Sequence, residues 1–177
     1  QSVGGSSPWA ERIAKRSRKP ERNANMSRVR VLAGVLAASS VAVGTIAAFE
    51  GYVPVGYPDP ALGVNLPTAC YGSTRGVVLG KRYTEQECVG MLADDVVKHV
   101  LDIAPCLPET LPLETHAAFV SFGFNVGATK FCASTLSRKA RSGDLPGACA
   151  ELSKWVYAGG QKMRGLVNRR AAERKLC

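Results

Sequence analysis

Two carboxylic acids near the middle of the chain have a spacing and a setting that could support acid/base chemistry. Glu50 and Asp59 are separated by eight residues in a stretch rich in Gly, Pro and Tyr. Glu50 directly follows Phe49, whereas Asp59 lies between two prolines in a polar segment. Nearby carboxyl groups in different environments are typical of the acid/base pair that cleaves a glycosidic bond. Spacing alone also allows two solvated surface acids.

The segment in front of Glu50 is a 19-residue uncharged run, Val31–Phe49. About 20 apolar residues span a bilayer, and basic residues precede this run but do not follow it immediately. The positive-inside rule then places the N-terminus in the cytoplasm and the rest of the chain outside. Since 11 of the 19 residues are Ala, Gly, Ser or Thr, the run predicts a marginal membrane anchor. A cleaved signal peptide and a buried soluble helix are the alternatives.

Composition and charge indicate a globular domain behind a basic tail. The chain is 46% hydrophobic and 21% charged, with a formal net charge of +9. Eight of the 23 basic residues precede residue 31, so the remainder is only mildly basic. That balance suits an anionic polymer and does not favour a dedicated nucleic-acid binder. Residues 1–25 are a polar tail, and Met26 is expected to be a translation start with the tail as an upstream extension.

Six cysteines all follow the apolar run, and such an even count predicts disulfides in an oxidising compartment. We expect pairs between segments that are adjacent in the chain, although other pairings and six reduced thiols are also possible. No Cys-x-x-Cys pair occurs and the two histidines stand alone, so neither a metal site nor a cofactor is expected. The expected pairs are Cys70–Cys88, Cys106–Cys132 and Cys149–Cys177.

The pattern between Gly51 and Tyr83 predicts a small β lobe. Short β-branched segments occur at Thr68–Tyr71 and Val77–Leu79, between turn-forming Gly and Pro residues. A hairpin or a three-stranded lobe fits this pattern. Turns are expected at Pro58-Asp59-Pro60, Leu62-Gly63 and Thr74-Arg75-Gly76.

From Thr84 onward the hydrophobic period becomes helical. Thr84 and Glu87 have the spacing of a capping box, and apolar residues then recur at helical spacing as far as Ala104. The sequence therefore predicts an α+β fold, with a β lobe at 50–83, a helical lobe at 84–177 and a cleft between them. Four more helices are expected, at Pro112–Val126, Ser134–Arg141, Leu145–Trp155 and Lys162–Leu176.

A set of motifs in fixed order resembles the phage-type lysozyme (endolysin) family of glycoside hydrolases. The resemblance covers about residues 50–177, and it implies a lysozyme-like fold. Its motifs are Glu50-Gly51, Tyr57-Pro58-Asp59, Thr68-Ala69-Cys70-Tyr71-Gly72-Ser73-Thr74, Phe122-Gly123-Phe124-Asn125-Val126-Gly127, Ser134-Thr135-Leu136 and Gly165-Leu166-Val167-Asn168-Arg169-Arg170.

The resemblance also implies an activity and site residues. It implies hydrolysis of the β-1,4 bond between N-acetylmuramic acid and N-acetylglucosamine in peptidoglycan, by a monomer without nucleic-acid partners. Glu50 would be the general acid, while Asp59 and Thr68 would hold the attacking water, with inversion expected. The glycan strand would be contacted by Thr74, Phe124 and Thr135.

Two features depart from the family pattern. Eight residues intervene between Asp59 and Thr68, more than is common in the family, so a longer turn is expected. Ser73 stands where the family usually has a histidine, so an ion pair of that histidine would be lost.

The apolar run resembles the signal-anchor-release segments of some phage endolysins. The resemblance implies an enzyme held inactive in the bacterial inner membrane through residues 31–49, with its N-terminus cytoplasmic, and then released to the periplasm. Two other functions remain open: a lytic transglycosylase, and a non-catalytic wall-binding or inhibitor protein on a lysozyme fold. A basic C-terminal cluster would contact anionic wall polymer or form a solvated helix face; it comprises Lys162, Arg164, Arg169, Arg170, Arg174 and Lys175.

Overall fold

The structure is a computed structural model that describes residues 40–59 and 63–177, without the side chains of 63–65. The predictions for the basic tail, for Met26 and for residues 31–39 of the apolar run fall outside the described residues. Within residues 40–59 and 63–177, no helix is both long and apolar enough to cross a membrane.

The described chain has the expected α+β composition, because one strand pair precedes a succession of helices. Residues 40–47 are helical and are called α1. Two 3-10 turns follow α2 and α6, at Ala104–Cys106 and Leu152–Lys154. The other elements are β1 (Val53–Asp59), β2 (Gly63–Cys70), α2 (Glu85–Ile103), α3 (Leu113–Val126), α4 (Ala128–Ala133), α5 (Thr135–Arg141), α6 (Leu145–Glu151), β3 (Tyr157–Ala158), β4 (Gln161–Lys162) and α7 (Arg164–Leu176).

Strands β1 and β2 form an antiparallel hairpin in which Tyr57 is paired with Thr68. The third stretch beside β1 is Lys81–Tyr83, whose backbone bonds include Gly56 N–H to the Lys81 carbonyl at 2.9 Å. The sequence-based prediction of a strand at Val77–Leu79 is therefore wrong by a few residues. Gly56 also permits the close approach of the Val78 backbone, since an added Cβ would overlap the Val78 carbonyl oxygen.

Helix α2 begins as its sequence predicts. The Thr84 hydroxyl accepts from the Glu87 backbone N–H at 3.2 Å, and the Glu87 carboxylate accepts from the Thr84 N–H at 2.7 Å. This reciprocal capping box satisfies donors that an α-helix leaves free in its first turn. Val89, one of the apolar residues that recur at helical spacing, is 43% exposed. The buried face of α2 comprises Cys88, Leu92, Val96, Val100 and Ile103.

Helix α3 is the centre of the helical part, because residues 117–123 are all buried. A helix that is buried on all sides must be packed by several neighbours, and α3 lies against α2, α4 and α7. Gly127 ends the helix with φ 85°, a backbone conformation that favours glycine. The helix thus ends at Val126, as the sequence predicts.

The C-terminal elements differ from the prediction in three places. The six-residue helix α4 was not foreseen, and α6 ends at Glu151 before a 3-10 turn. The segment expected to begin a helix at Lys162 first forms the hairpin β3–β4. Its turn is made by Gly159 and Gly160, which have φ of 55° and 77°. Paired glycines with positive φ favour a two-residue hairpin turn, so this hairpin had a readable signal.

The three disulfide pairings expected from the sequence are confirmed. Cys70–Cys88 joins the end of β2 to the first turn of α2, Cys106–Cys132 joins the first 3-10 turn to α4, and Cys149–Cys177 joins α6 to the end of α7.

Candidate active site

Glu50 lies at the junction between α1 and β1. Its backbone N–H donates to the Ile46 carbonyl at 2.9 Å, so the last turn of α1 orients it. Ala42 and Ile46 are fully buried and anchor this turn in the fold. The Glu50 side chain is 28% exposed, which leaves the carboxylate accessible from solvent. The end of α1 thus presents a partly exposed carboxylate.

The Glu50 carboxylate faces a pocket of about 380 Å³. The pocket combines apolar walls with the polar groups of three side chains, an arrangement common in ligand sites. Neither Asp59 nor Thr68 is among the lining residues. The lining comprises Phe49, Glu50, Asn125, Ala158, Met163, Gly165, Leu166 and Arg169.

Arg169 of α7 is the ionic partner of Glu50. Its Nη1 donates to Glu50 Oε1 at 2.7 Å, and its Nη2 donates to the Ser121 carbonyl at 3.1 Å. The guanidinium carbon lies 5.7 Å from the centre of the Phe49 ring. The Arg169 side chain is only 4% exposed. Glu50 therefore has the apolar neighbour Phe49, but a buried cation also lies directly against its carboxylate.

A second carboxylate, Glu173, lies behind Arg169 and is fully buried. It is 3.3 Å from Arg169 Nε and 2.7 Å from Arg170 Nε. The Ser121 hydroxyl donates to Glu173 Oε1 at 2.7 Å. Burial raises the pKa of Glu173 and lowers the pKa of Arg170, and the charge attraction between the two opposes both shifts. Arg170 also donates to Asn125 Oδ1 at 3.1 Å.

The buried network corrects one sequence-based interpretation. Arg169 and Arg170, grouped with the exposed basic cluster, are 3% and 1% exposed. They therefore do not belong to a solvated face, although Arg169 still lines the pocket at Glu50. The other four members of that cluster are exposed, and they are Lys162, Arg164, Arg174 and Lys175.

Asp59 and Thr68 lie on the β1–β2 hairpin. Asp59 is the last residue of β1 and is paired with Gly63. Thr68 is 3% exposed, and its hydroxyl has no hydrogen-bond partner within the described part of the chain. Holding an attacking water would require that hydroxyl to reach the cleft. The roles of Asp59 and Thr68 therefore stay predictions.

The turn after Thr68 is fixed to α2 by polar contacts. The Ser73 hydroxyl donates to Asp95 Oδ2 at 2.7 Å, and Arg75 Nη2 donates to Asp95 Oδ1 at 2.9 Å. Ser73 thus contributes a neutral hydroxyl contact, and the cation that pairs with Asp95 is Arg75. Thr74, an expected glycan contact, lies half-exposed between them.

The two other expected glycan contacts lie in the helical part. The Phe124 ring is half-buried, with its centre 4.8 Å from that of the His99 ring. Burial lowers the pKa of His99, which favours the neutral ring beside Phe124. Thr135 is half-exposed at the start of α5 and accepts from Arg138 Nη2 at 3.2 Å. Both glycan-contact roles stay predictions.

Sequence reasoning assigned no role at the site to Asn125, Arg169 or Glu173. The first two lie inside motifs that carry the family resemblance, which was the available signal. Arg169, Arg170 and Glu173 also have the spacing that puts charges on one helix face. Chemically, the pocket offers one partly exposed carboxylate, a buried cation that can stabilise it when ionised, and an amide for hydrogen bonding.

Comparison with known proteins assigns the chain to a family. The phage lysozyme family model matches residues 47–173. The SAR-endolysin of bacteriophage PS119 is 39% identical over 145 residues, which cover 81% of this chain and 87% of that protein.

Solved structures with the same fold include a muramidase domain and a phage endolysin. The muramidase domain of SpmX from Asticaccaulis excentricus has a TM-score of 0.69 at 27% identity, covering 76% of this chain and 92% of that one. The endolysin from Escherichia coli O157:H7 phage FAHEc1 has a TM-score of 0.65 at 26% identity, covering 77% and 89%. With its family match, its relatives and its lysozyme-like structure, the chain belongs to the phage lysozyme family.

Proposed function

We propose that this phage lysozyme is a muramidase, which hydrolyses the β-1,4 bond between N-acetylmuramic acid and N-acetylglucosamine. The observation that carries the proposal is the partly exposed Glu50 carboxylate in the pocket, held at the end of α1 and paired with Arg169. The similar SpmX domain has muramidase activity in its name.

In this mechanism Glu50 gives its proton to the glycosidic oxygen as the bond from C1 to that oxygen breaks. A water molecule held by Asp59 attacks C1 from the opposite face and loses its proton to that carboxylate. Proton transfer leaves Glu50 negatively charged, and Arg169 Nη1 is already placed to pair with that charge. A preorganised cation of this kind stabilises the charge that develops in the transition state.

Product analysis tests the reaction type. Purified sacculi digested with the enzyme are expected to yield muropeptides with a free reducing N-acetylmuramic acid, because water adds to C1. Mass spectrometry distinguishes these from the anhydro products of a lytic transglycosylase, which are lighter by one water molecule. Anhydro products would show that the bond is cleaved by ring closure and not by hydrolysis. Intact sacculi would favour a wall-binding protein.

We also propose that residues 31–49 hold the enzyme inactive in the inner membrane until it is released to the periplasm. The relative from bacteriophage PS119 carries SAR-endolysin as its name. In the structure Ala42 and Ile46, from the same run, are fully buried, and the turn that they anchor presents Glu50. One segment cannot lie in the bilayer and pack in this way at the same time, so membrane exit would complete the site.

Raising the apolarity of the run is expected to delay lysis. Leu favours the bilayer more than Gly, so a Gly34→Leu, Gly44→Leu variant should stay in the membrane fraction longer. Gly44 is exposed, and an added Cβ would meet no described atom within 4 Å, so the folded enzyme should tolerate Leu there. Fractionation and lysis timing after induction measure the effect, with Gly34→Ser, Gly44→Ser as the control. Release and lysis as fast as the parent would contradict an anchor.

A further inference from the structure

Glu173 is a buried carboxylate that the mechanism above does not use. It has no exposed surface, and it lies in α7 one turn after the arginine that meets Glu50. It accepts from two guanidinium groups and one hydroxyl: Arg169 Nε at 3.3 Å, Arg170 Nη2 at 2.9 Å and Ser121 Oγ at 2.7 Å. All three of these hydrogen bonds converge on Glu173 Oε1, so the carboxylate is held from two helices.

Stability alone does not account for such a network. Removing charges from water is costly, and well-packed apolar residues of similar volume often serve a buried site as well or better. Arg170 is also held by other means, since its guanidinium carbon lies 4.8 Å from the centre of the Phe122 ring. The network is distinguished by the contact at its outer end, where Arg169 donates to the carboxylate of Glu50.

Arg169 uses two of its nitrogens to fix its own position and a third to contact Glu50. Nε is directed to Glu173 and Nη2 to the Ser121 carbonyl, and these two contacts leave Nη1 directed at Glu50. The guanidinium group is a rigid planar fork. Fixing two of its nitrogens therefore fixes the direction of the third.

We propose that Glu173 is a positioning residue of the active site, which orients Arg169 so that its Nη1 pairs with the Glu50 carboxylate. This inference rests on the proposed function of Glu50. Glu173 is shared by the two cations, at 3.3 Å from Arg169 Nε and 2.7 Å from Arg170 Nε, so its single negative charge offsets only part of their two positive charges. Without the Glu173 carboxylate, Arg169 loses the acceptor of its Nε and is repelled by Arg170. Its Nη1 is then displaced from Glu50.

The test compares two buried glutamates. Glu173→Gln keeps the side-chain shape and removes the charge. Glu151→Gln is the matched control, because Glu151 is 6% exposed and accepts from Lys139 and Lys154 at 2.8 and 2.9 Å, in a part of the chain that does not line the pocket. Rates on soluble glycan strands give kcat and KM, and thermal unfolding gives Tm.

The expected result is a separation of kcat from stability. Both variants lower Tm, but only Glu173→Gln lowers kcat, by about 10- to 100-fold with KM within about twofold, since small misplacements of catalytic groups reduce rates on this scale. Parental kcat in Glu173→Gln would overturn the proposal, and so would an equal loss of kcat in Glu151→Gln. If Glu173→Gln does not fold, Ser121→Ala removes one hydrogen bond to Glu173, and an unchanged kcat there would overturn it.

Glu50→Gln, measured in the same assay, separates this inference from the proposed function. Parental activity in Glu50→Gln would reject the role of Glu50, and with it the role of Glu173. Loss of activity in Glu50→Gln with normal kcat in Glu173→Gln would reject only the positioning role. In the Glu50→Gln, Glu173→Gln double variant the two effects should be non-additive, because Glu173 influences the reaction only through Arg169 and its contact with Glu50.

Discussion

Replacing Glu50 by Gln is expected to reduce the rate of cell-wall lysis by about 10²- to 10⁴-fold, the usual contribution of a general acid. Gln has nearly the same shape, and its amide oxygen can still accept from Arg169 Nη1, which lies 2.7 Å from Glu50 Oε1. It has no ionisable proton to give to the glycosidic oxygen. Clearing of a suspension of permeabilised cells measures the rate.

The same substitution should leave the fold almost unchanged. Glu50 is 28% exposed, and after the substitution Arg169 keeps its contacts with Glu173 and with the Ser121 carbonyl. Equal thermal unfolding of Glu50→Gln and the parent would show that lost activity is a chemical effect. Glu109→Gln is a matched control, because Glu109 is exposed in the loop before α3. Lysis by Glu50→Gln at the parental rate would exclude Glu50 as the acid.

Removal of the Cys70–Cys88 disulfide is the second change with a large expected effect. The bond closes a loop with a sequence separation of 18 residues, and loop-closure entropy predicts a loss of about 3 kcal/mol in the free energy of unfolding. Cys70 also has φ 61°, and it is the one non-glycine residue with positive φ in the described part of the chain. A left-handed backbone costs about 1–2 kcal/mol for such residues.

A Cys70→Ser, Cys88→Ser variant should therefore lose lysis activity even under conditions where the protein is still folded. Cys70 follows Thr68 by two residues, and the cluster around it contains Ala69, Val77, Tyr83 and Cys88. Without the bond the strained turn can relax and displace the hairpin that carries Asp59 and Thr68. Urea unfolding and lysis rates at a temperature where the variants are folded measure the two effects.

Cys106→Ser, Cys132→Ser is the control for this experiment. Its bond has a separation of 26 residues, so the entropic loss is similar, but it joins a 3-10 turn to α4 and does not touch the hairpin that carries Asp59 and Thr68. It should lose stability and keep its rate per folded molecule. Equal rates in both double variants would show that Cys70–Cys88 does not position the hairpin.

Local signals in the sequence predict most of the elements. The capping box at Thr84 and the glycine at 127 mark helix ends through contacts within a few residues, and both were foreseen. The pairing of Lys81–Tyr83 with β1 was not, because backbone bonds to β1 form there and not at the β-branched residues of Val77–Leu79. Tertiary pairing overrides β-propensity in such short segments.

The site shows the same division between local and distant contacts. Glu50 was recognisable from its neighbours and from the family resemblance. Its partner Arg169 is 119 residues away, and no local pattern links the two. Arg169 and Arg170 are charged residues that are seldom fully buried unless paired, so composition favoured a solvated face. Only the packing of α7 against α3 shows that they lie inside, next to Ser121.

The most direct test of the central claim, that peptidoglycan is cleaved at Glu50, is a crystal structure of the Glu50→Gln variant with a bound glycan strand. The account predicts a glycosidic oxygen within hydrogen-bond distance of the residue 50 side chain, with the sugar on its leaving side in the pocket lined by Asn125 and Met163. A strand bound elsewhere, with residue 50 still paired only to Arg169, would contradict it.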